Sequence, residues 1–217
     1  MSANHADTGR PDANPRAIAV AAGLLVLSAM ASAVSSTLIA AYFPDRPTPR
    51  DLLFEVLPFL DAAQYLTDIV LITALALLFG HAVTKARDQT PNMLAVFALM
   101  YLIRAVLMLL TPLASAHGNG VLFGLIPLVQ NGMFPSGHAA AALLCYLLVD
   151  EQRAPHLRRA LLWLALAESL TLLLAHGHYS IDIAGAWLLS YFVYHEWYDG
   201  SLFRPLKNLL HGWTPIG

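Results

Sequence analysis

Residues 91–113 read PNMLAVFALMYLIRAVLMLLTPL, and a single one of those positions, Arg104, carries a charge. Proline suits the first turn of a helix, because its fixed φ is helical and the N–H it lacks has no intrahelical partner there. At 1.5 Å of rise per residue the stretch reaches about 34 Å, enough to cross a hydrocarbon core of about 30 Å. A surface helix of a soluble protein would carry a polar face along that length, and this one has none. The reading sets the fold class: an all-α, polytopic helical bundle in a membrane.

The rest of the chain agrees. Of 217 residues, 58% are hydrophobic and 12% charged, with a mean hydropathy of +0.60, outside the range of soluble domains. The net charge is −2, and Lys and Arg are scattered between apolar runs, so no basic face exists for a phosphate backbone and nucleic acid is excluded as a partner. Cys145 is the only cysteine, which rules out an intramolecular disulfide and a cysteine-built metal site.

Extending the reading to both sides gives six spans. The first runs from Ala17 to Phe43 and stops at the proline-rich residues 44–49, where fixed φ angles and missing donors break a helix. Asp51 to Leu60 suits a short helix lying in the interface. Gln64 to Val83 forms the second span, Pro91 to Leu113 the third, Pro135 to Val149 a short fourth, Leu157 to Ala175 the fifth and Ile181 to Tyr198 the sixth. A rival reading of the first segment is a cleaved secretory signal ending at Ala31-Ser32-Ala33; against it, the apolar run continues to Phe43, beyond the roughly 7–15 residues of a signal core. Residues 1–16 read as a disordered tail, 17–199 as one membrane domain and 200–217 as a short second tail.

Orientation follows from the basic residues, which collect in cytoplasmic loops. Arg10, Arg16, Lys85, Arg87, Arg153, Arg158, Arg159, Arg204 and Lys207 fall on one side, and Arg46 and Arg50 on the other. Both termini are therefore expected in the cytoplasm. The loop from Ala114 to Phe134 and the turn around His176 contain no Lys or Arg and are expected on the opposite side. The chain has no Asn-x-Ser/Thr sequon, which is compatible with a bacterial inner membrane and a periplasmic site.

A charge at mid-membrane costs about 2.5–3.5 kcal/mol even on the lenient insertion scale, so such residues mark function. Arg104, Glu168 and Asp182 stand out. Arg104 lies about 20 Å along its span from the inner side. Ser136, Gly137 and His138 open the fourth span, and His176, His178 and Asp182 sit where the fifth ends and the sixth begins. Three segments thus deliver polar groups to one outer depth.

His178 and Asp182 are four residues apart, hence stacked on one helix face. The carboxylate can fix the imidazole tautomer, leaving the other ring nitrogen to attack and stabilising the charge that grows on it. His138 can protonate a leaving oxygen, on a helix start whose open amides, through Ser136 and Gly137, cradle a phosphate. Arg104 offers a planar fork for nonbridging oxygens. A metal bound by His138, His176, His178 and Asp182 is the chemical rival; the Ser-Gly element and the arginine suit an anion better, and no metal or other cofactor is expected. His5, His81, His156, His195 and His211 fall near the inner side and are read as background, and Glu168 has no assigned role.

The pair Phe134-Pro135-Ser136-Gly137-His138 and His178-Tyr179-Ser180-Ile181-Asp182 resembles the type 2 phosphatidic acid phosphatase superfamily, and Ala175 to Ile183 resembles the late motif of its sphingomyelin synthase branch. Pro49 to Phe54 and Tyr101 to Leu113 look like that branch's earlier motifs, so the likeness runs from about residue 47 to 199. The resemblance implies six spans and a metal-independent phosphohistidine mechanism with His178 as nucleophile, Asp182 as its partner and His138 as general acid. It also implies His176 and Tyr179 beside the substrate, a phospholipid donor and a lipid alcohol acceptor such as ceramide or diacylglycerol. The chain departs from the synthase pattern at Gln130-Asn131-Gly132 and Pro135, and from the phosphatase pattern at Thr171-Leu172 and in lacking proline after Arg104. A lipid phosphatase with the same residues stays open, as does a non-catalytic transporter or lipid-binding protein. The oligomeric state is left open.

Overall fold

A computed structural model describes residues 14–115 and 131–211. Most of the expected N-terminal tail, most of the Ala114 to Phe134 loop and the last six residues lie outside them. The described residues form eight α-helices: α1 Pro15–Tyr42, α2 Leu52–Val56, α3 Asp61–Lys85, α4 Thr90–Leu110, α5 Gly137–Leu147, α6 Pro155–Leu174, α7 Ser180–Tyr198 and α8 Arg204–His211. Local chemistry sets several of their starts. The Asn14 side chain accepts the Arg16 amide at 3.0 Å and Pro15 takes the first position of α1, Asp51 caps α2, and Ser136 caps α5, as expected of residues that satisfy open amides.

Each of the six apolar segments read from the sequence finds a helix, with ends displaced by three residues or fewer. Among the described residues, three helical stretches are long and apolar enough to cross a membrane: Pro15–Tyr42, Asp61–Lys85 and Arg87–Leu110, the last including a single 3-10 turn before α4. The central helix α5 is only 11 residues long, about 16 Å, so it does not cover a bilayer core alone. Helices α6 and α7 have the length but carry Arg158, Arg159 and Glu168, and Asp182 and Glu196, respectively. Within the expected C-terminal tail, α8 forms a helix that packs on α1 and buries Leu210.

Helix α5 sits at the centre, touching α3, α4, α6 and α7, while α1 packs chiefly along α4. Its sequence explains the position. Ala139, Ala140, Ala141 and Ala142 are all buried, and small side chains let neighbouring backbones approach closely where packing rather than water expulsion holds helices together. Polar ties cross between helices: Ser190 donates to the Ala140 carbonyl at 3.0 Å and Thr67 to Thr171 at 3.0 Å. The outside is apolar. Leu110, Trp163 and Leu188 are more than 70% exposed, an arrangement that suits contact with lipid rather than water.

Candidate active site

Two turns meet at one end of α5. The first is residues 132–138, which enter α5; the second is residues 175–180, which link α6 to α7. They are joined directly, because the Ser136 amide donates to the Asp182 carbonyl at 3.0 Å. Ser136 is fully buried, and its hydroxyl accepts the Ala139 amide at 3.3 Å. The Ser-Gly-His element therefore begins a helix as its sequence suggests, with His138 in the first turn.

In the second turn, His178 Nδ1 lies 3.3 Å from Asp182 Oδ2, and the same oxygen accepts the Tyr179 amide at 3.0 Å. Asp182 is wholly enclosed and His178 nearly so. A carboxylate held by a backbone amide is fixed in place, so it fixes the imidazole in turn. An Nδ1–H donated to that oxygen leaves Nε2 as the unprotonated ring nitrogen, the one able to act as a nucleophile. The rings of His138 and His178 have centroids 6.4 Å apart with 52° between their planes, so the two imidazoles are close neighbours.

His138 also has a carboxylate beside it, one that sequence reasoning missed. Asp68 of α3 brings Oδ1 to 3.8 Å from His138 Nε2, with both side chains largely enclosed. The signal was an acidic residue inside the second apolar span, where charge is as costly as at Glu168. Glu168 itself, on α6, is fully buried, and its carboxylate oxygens meet no hydrogen-bond donor among the described residues.

Arg104 is buried in α4 and spends its guanidinium on the first turn. Nε donates to the Pro135 carbonyl at 2.8 Å, one terminal nitrogen to the Gly132 carbonyl at 2.9 Å, and the other contacts Met108 Sδ at 2.9 Å. Of the five N–H groups a guanidinium carries, these contacts use three, and the other two have no partner among the described residues. Gly137 suits this packing: a Cβ there would lie 3.2 Å from Arg104 Nε and 3.3 Å from its Cζ, a tight contact that the arginine would have to yield to by a few tenths of an ångström.

His176 is placed differently from His138 and His178. Its backbone adopts φ 48°, its ring stacks on Phe54 with centroids 4.3 Å apart and meets Phe59 edge-on at 5.5 Å, and its enclosed Nε2 has no hydrogen-bond partner among the described residues. Tyr179 is buried and donates its hydroxyl to the Ala114 carbonyl at 3.3 Å. Burial, then the carboxylates of Asp182 and Asp51, push its phenol up, so it remains a neutral donor. Among the described residues no group of three or more His, Cys, Asp or Glu is gathered in a way that suits a metal ion.

The arrangement can hold a tetrahedral anion between a nucleophilic imidazole and a proton-donating one, beside a helix start and a buried arginine. A comparison with curated proteins finds no match. The stretch from Gly132 to Asp199, which contains the Ser-Gly-His turn and helices α5, α6 and α7, matches the family model described as PAP2 superfamily C-terminal, a model associated with sphingomyelin synthase-like proteins in a superfamily of lipid phosphatases and phosphotransferases.

Proposed function

We propose that the protein is an integral membrane lipid phosphotransferase that moves a phospho-headgroup of the phosphocholine or phosphoethanolamine kind from a glycerophospholipid to a lipid alcohol such as ceramide or diacylglycerol. The observation that carries the reading is the facing pair of histidines, each with its own carboxylate. His178 Nε2 attacks phosphorus, the bond from phosphorus to the diacylglycerol oxygen breaks, and protonated His138 gives that oxygen its proton. The headgroup phosphate then resides on His178. In the second half, neutral His138 takes the proton of the acceptor hydroxyl, whose oxygen attacks phosphorus and releases His178. His138 is protonated again at the end, so the cycle needs no other acid.

Asp182 stabilises the charge that develops on His178, and Asp68 does the same for His138. The Arg104 guanidinium and the backbone amides at the start of α5 bind the nonbridging oxygens. His176 and Tyr179 line the substrate side of the nucleophile's turn. The fold around the site is a six-span bundle with both termini in the cytoplasm and the histidines at the non-cytoplasmic surface. That reading is supported by the clustering of Lys and Arg on the opposite side.

The test supplies purified protein in mixed phospholipid micelles with fluorescent ceramide and fluorescent diacylglycerol. A new labelled phospholipid, lost in His178→Ala, is the expected product and names donor and acceptor. Phosphate release from phosphatidic acid without labelled phospholipid would replace transfer by hydrolysis, and no turnover of either kind would remove the enzymatic reading.

A further inference from the structure

The segment between α1 and α3 is fastened at three points to the nucleophile's turn and to the end of α6 that leads into it. Asp51, itself buried, uses both carboxylate oxygens. Oδ1 accepts the Leu53 amide at 2.9 Å and so caps α2, while Oδ2 accepts the amide of Ser180, the first residue of α7 and two beyond His178. The Phe54 ring lies over the His176 imidazole with 17° between their planes. Further along, the Leu60 amide donates to the Leu174 carbonyl at 2.8 Å, at the end of α6.

The other side of the segment looks outward. Leu52, Val56, Phe59 and Leu60 are 72%, 70%, 44% and 45% exposed. At 5 residues α2 is too short to cross a membrane, and it connects two helices that are long and apolar enough to do so. Crossing by both helices would put the adjoining ends of α1 and α3 at one membrane surface, where the apolar side of α2 would meet lipid.

We propose that α2 is a lipid-seated latch on the nucleophile: the outer-leaflet surface of the bilayer holds its apolar side, and Asp51 transmits that seat to His178 as a positioning residue. The inference rests on His178 being the nucleophile. Asp182 fixes the turn from within α7, through the Tyr179 amide and the His178 ring. Asp51 fixes it from outside, through the next amide along. Charge-assisted bonds of this kind are strong in a low-dielectric site, and a misplacement of about 1 Å at a nucleophile is enough to cost much of the rate. When lipid is withdrawn, the apolar side of α2 faces water and the segment shifts to cover it, carrying Ser180 with it.

The experiment measures kcat and KM in phosphatidylcholine–phosphatidylethanolamine vesicles containing fluorescent ceramide or diacylglycerol. It compares wild type, Asp51→Asn, the lipid-side pair Leu52→Ser with Val56→Ser, and their combination. Asp51→Asn keeps the size but replaces one of two acceptors by a donor; kcat is expected to fall about tenfold to a hundredfold with KM nearly unchanged. The lipid-side pair, exposed and harmless to the packed core, is expected to lower kcat several-fold, and the combination to be no worse than Asp51→Asn alone, because both act on one path. Multiplying losses, or an unchanged kcat in the lipid-side pair, would overturn the latch. His178→Ala in parallel separates the two claims: activity surviving that change removes the nucleophile assignment itself.

Discussion

His178 and His138 each stand beside a buried carboxylate, yet the two pairs are assembled by different means. His178 and Asp182 belong to one helix start, four residues apart, and a backbone amide shares the same carboxylate oxygen. His138 receives Asp68 from another helix at 3.8 Å, so the alignment of that pair depends on how α3 packs against α5. A local pair is set by helix geometry; a long-range pair inherits every error of packing. His178, the proposed nucleophile, whose aim must be the more accurate, has the local partner.

Removing each member tests that contrast. His178→Ala is expected to lower kcat by about 10⁴ or more, since His178 is the proposed carrier of the phosphate. His138→Ala follows at roughly 10²–10⁴, the usual contribution of a general acid, and phosphate should then remain bound to His178 for longer. Asp182→Asn, which keeps the shape but upsets the tautomer, is expected to cost about 10²–10⁴ in kcat. Asp68→Asn should cost only about tenfold to a hundredfold, because it acts through a looser contact. An Asp68→Asn loss as large as that of Asp182→Asn would erase the distinction between the pairs. Least of all, Gly137→Ala is expected to destabilise by about 1–3 kcal/mol through overpacking against Arg104, read as a lower melting temperature with KM for the donor moderately raised.

The same contrast explains what the sequence discloses. The four-residue spacing of His178 and Asp182 needs only one helix to become a contact, and the Ser-Gly-His element needs only a helix start at Ser136, so both are readable directly. Arg104 was visible as a charge in an apolar helix, but its engagement with the Pro135 and Gly132 carbonyls depends on where the following loop folds back. Asp68 carried the same warning, a carboxylate in an apolar span, yet nothing near it in the chain names His138, 70 positions later. His176 is legible as a neighbour of His178, but its stacking on Phe54 is set by a segment more than a hundred residues earlier. The short α5 is legible as a run of alanines. Its place at the centre of the bundle is a property of the neighbours that close around it.

The most direct test of the account is rapid-quench mass spectrometry of the protein mixed with a phospholipid donor, without acceptor. The account expects an acid-labile mass addition of the phospho-headgroup on the peptide containing His178, absent in His178→Ala and longer-lived in His138→Ala. Product formed at full rate with no adduct on that peptide would contradict it.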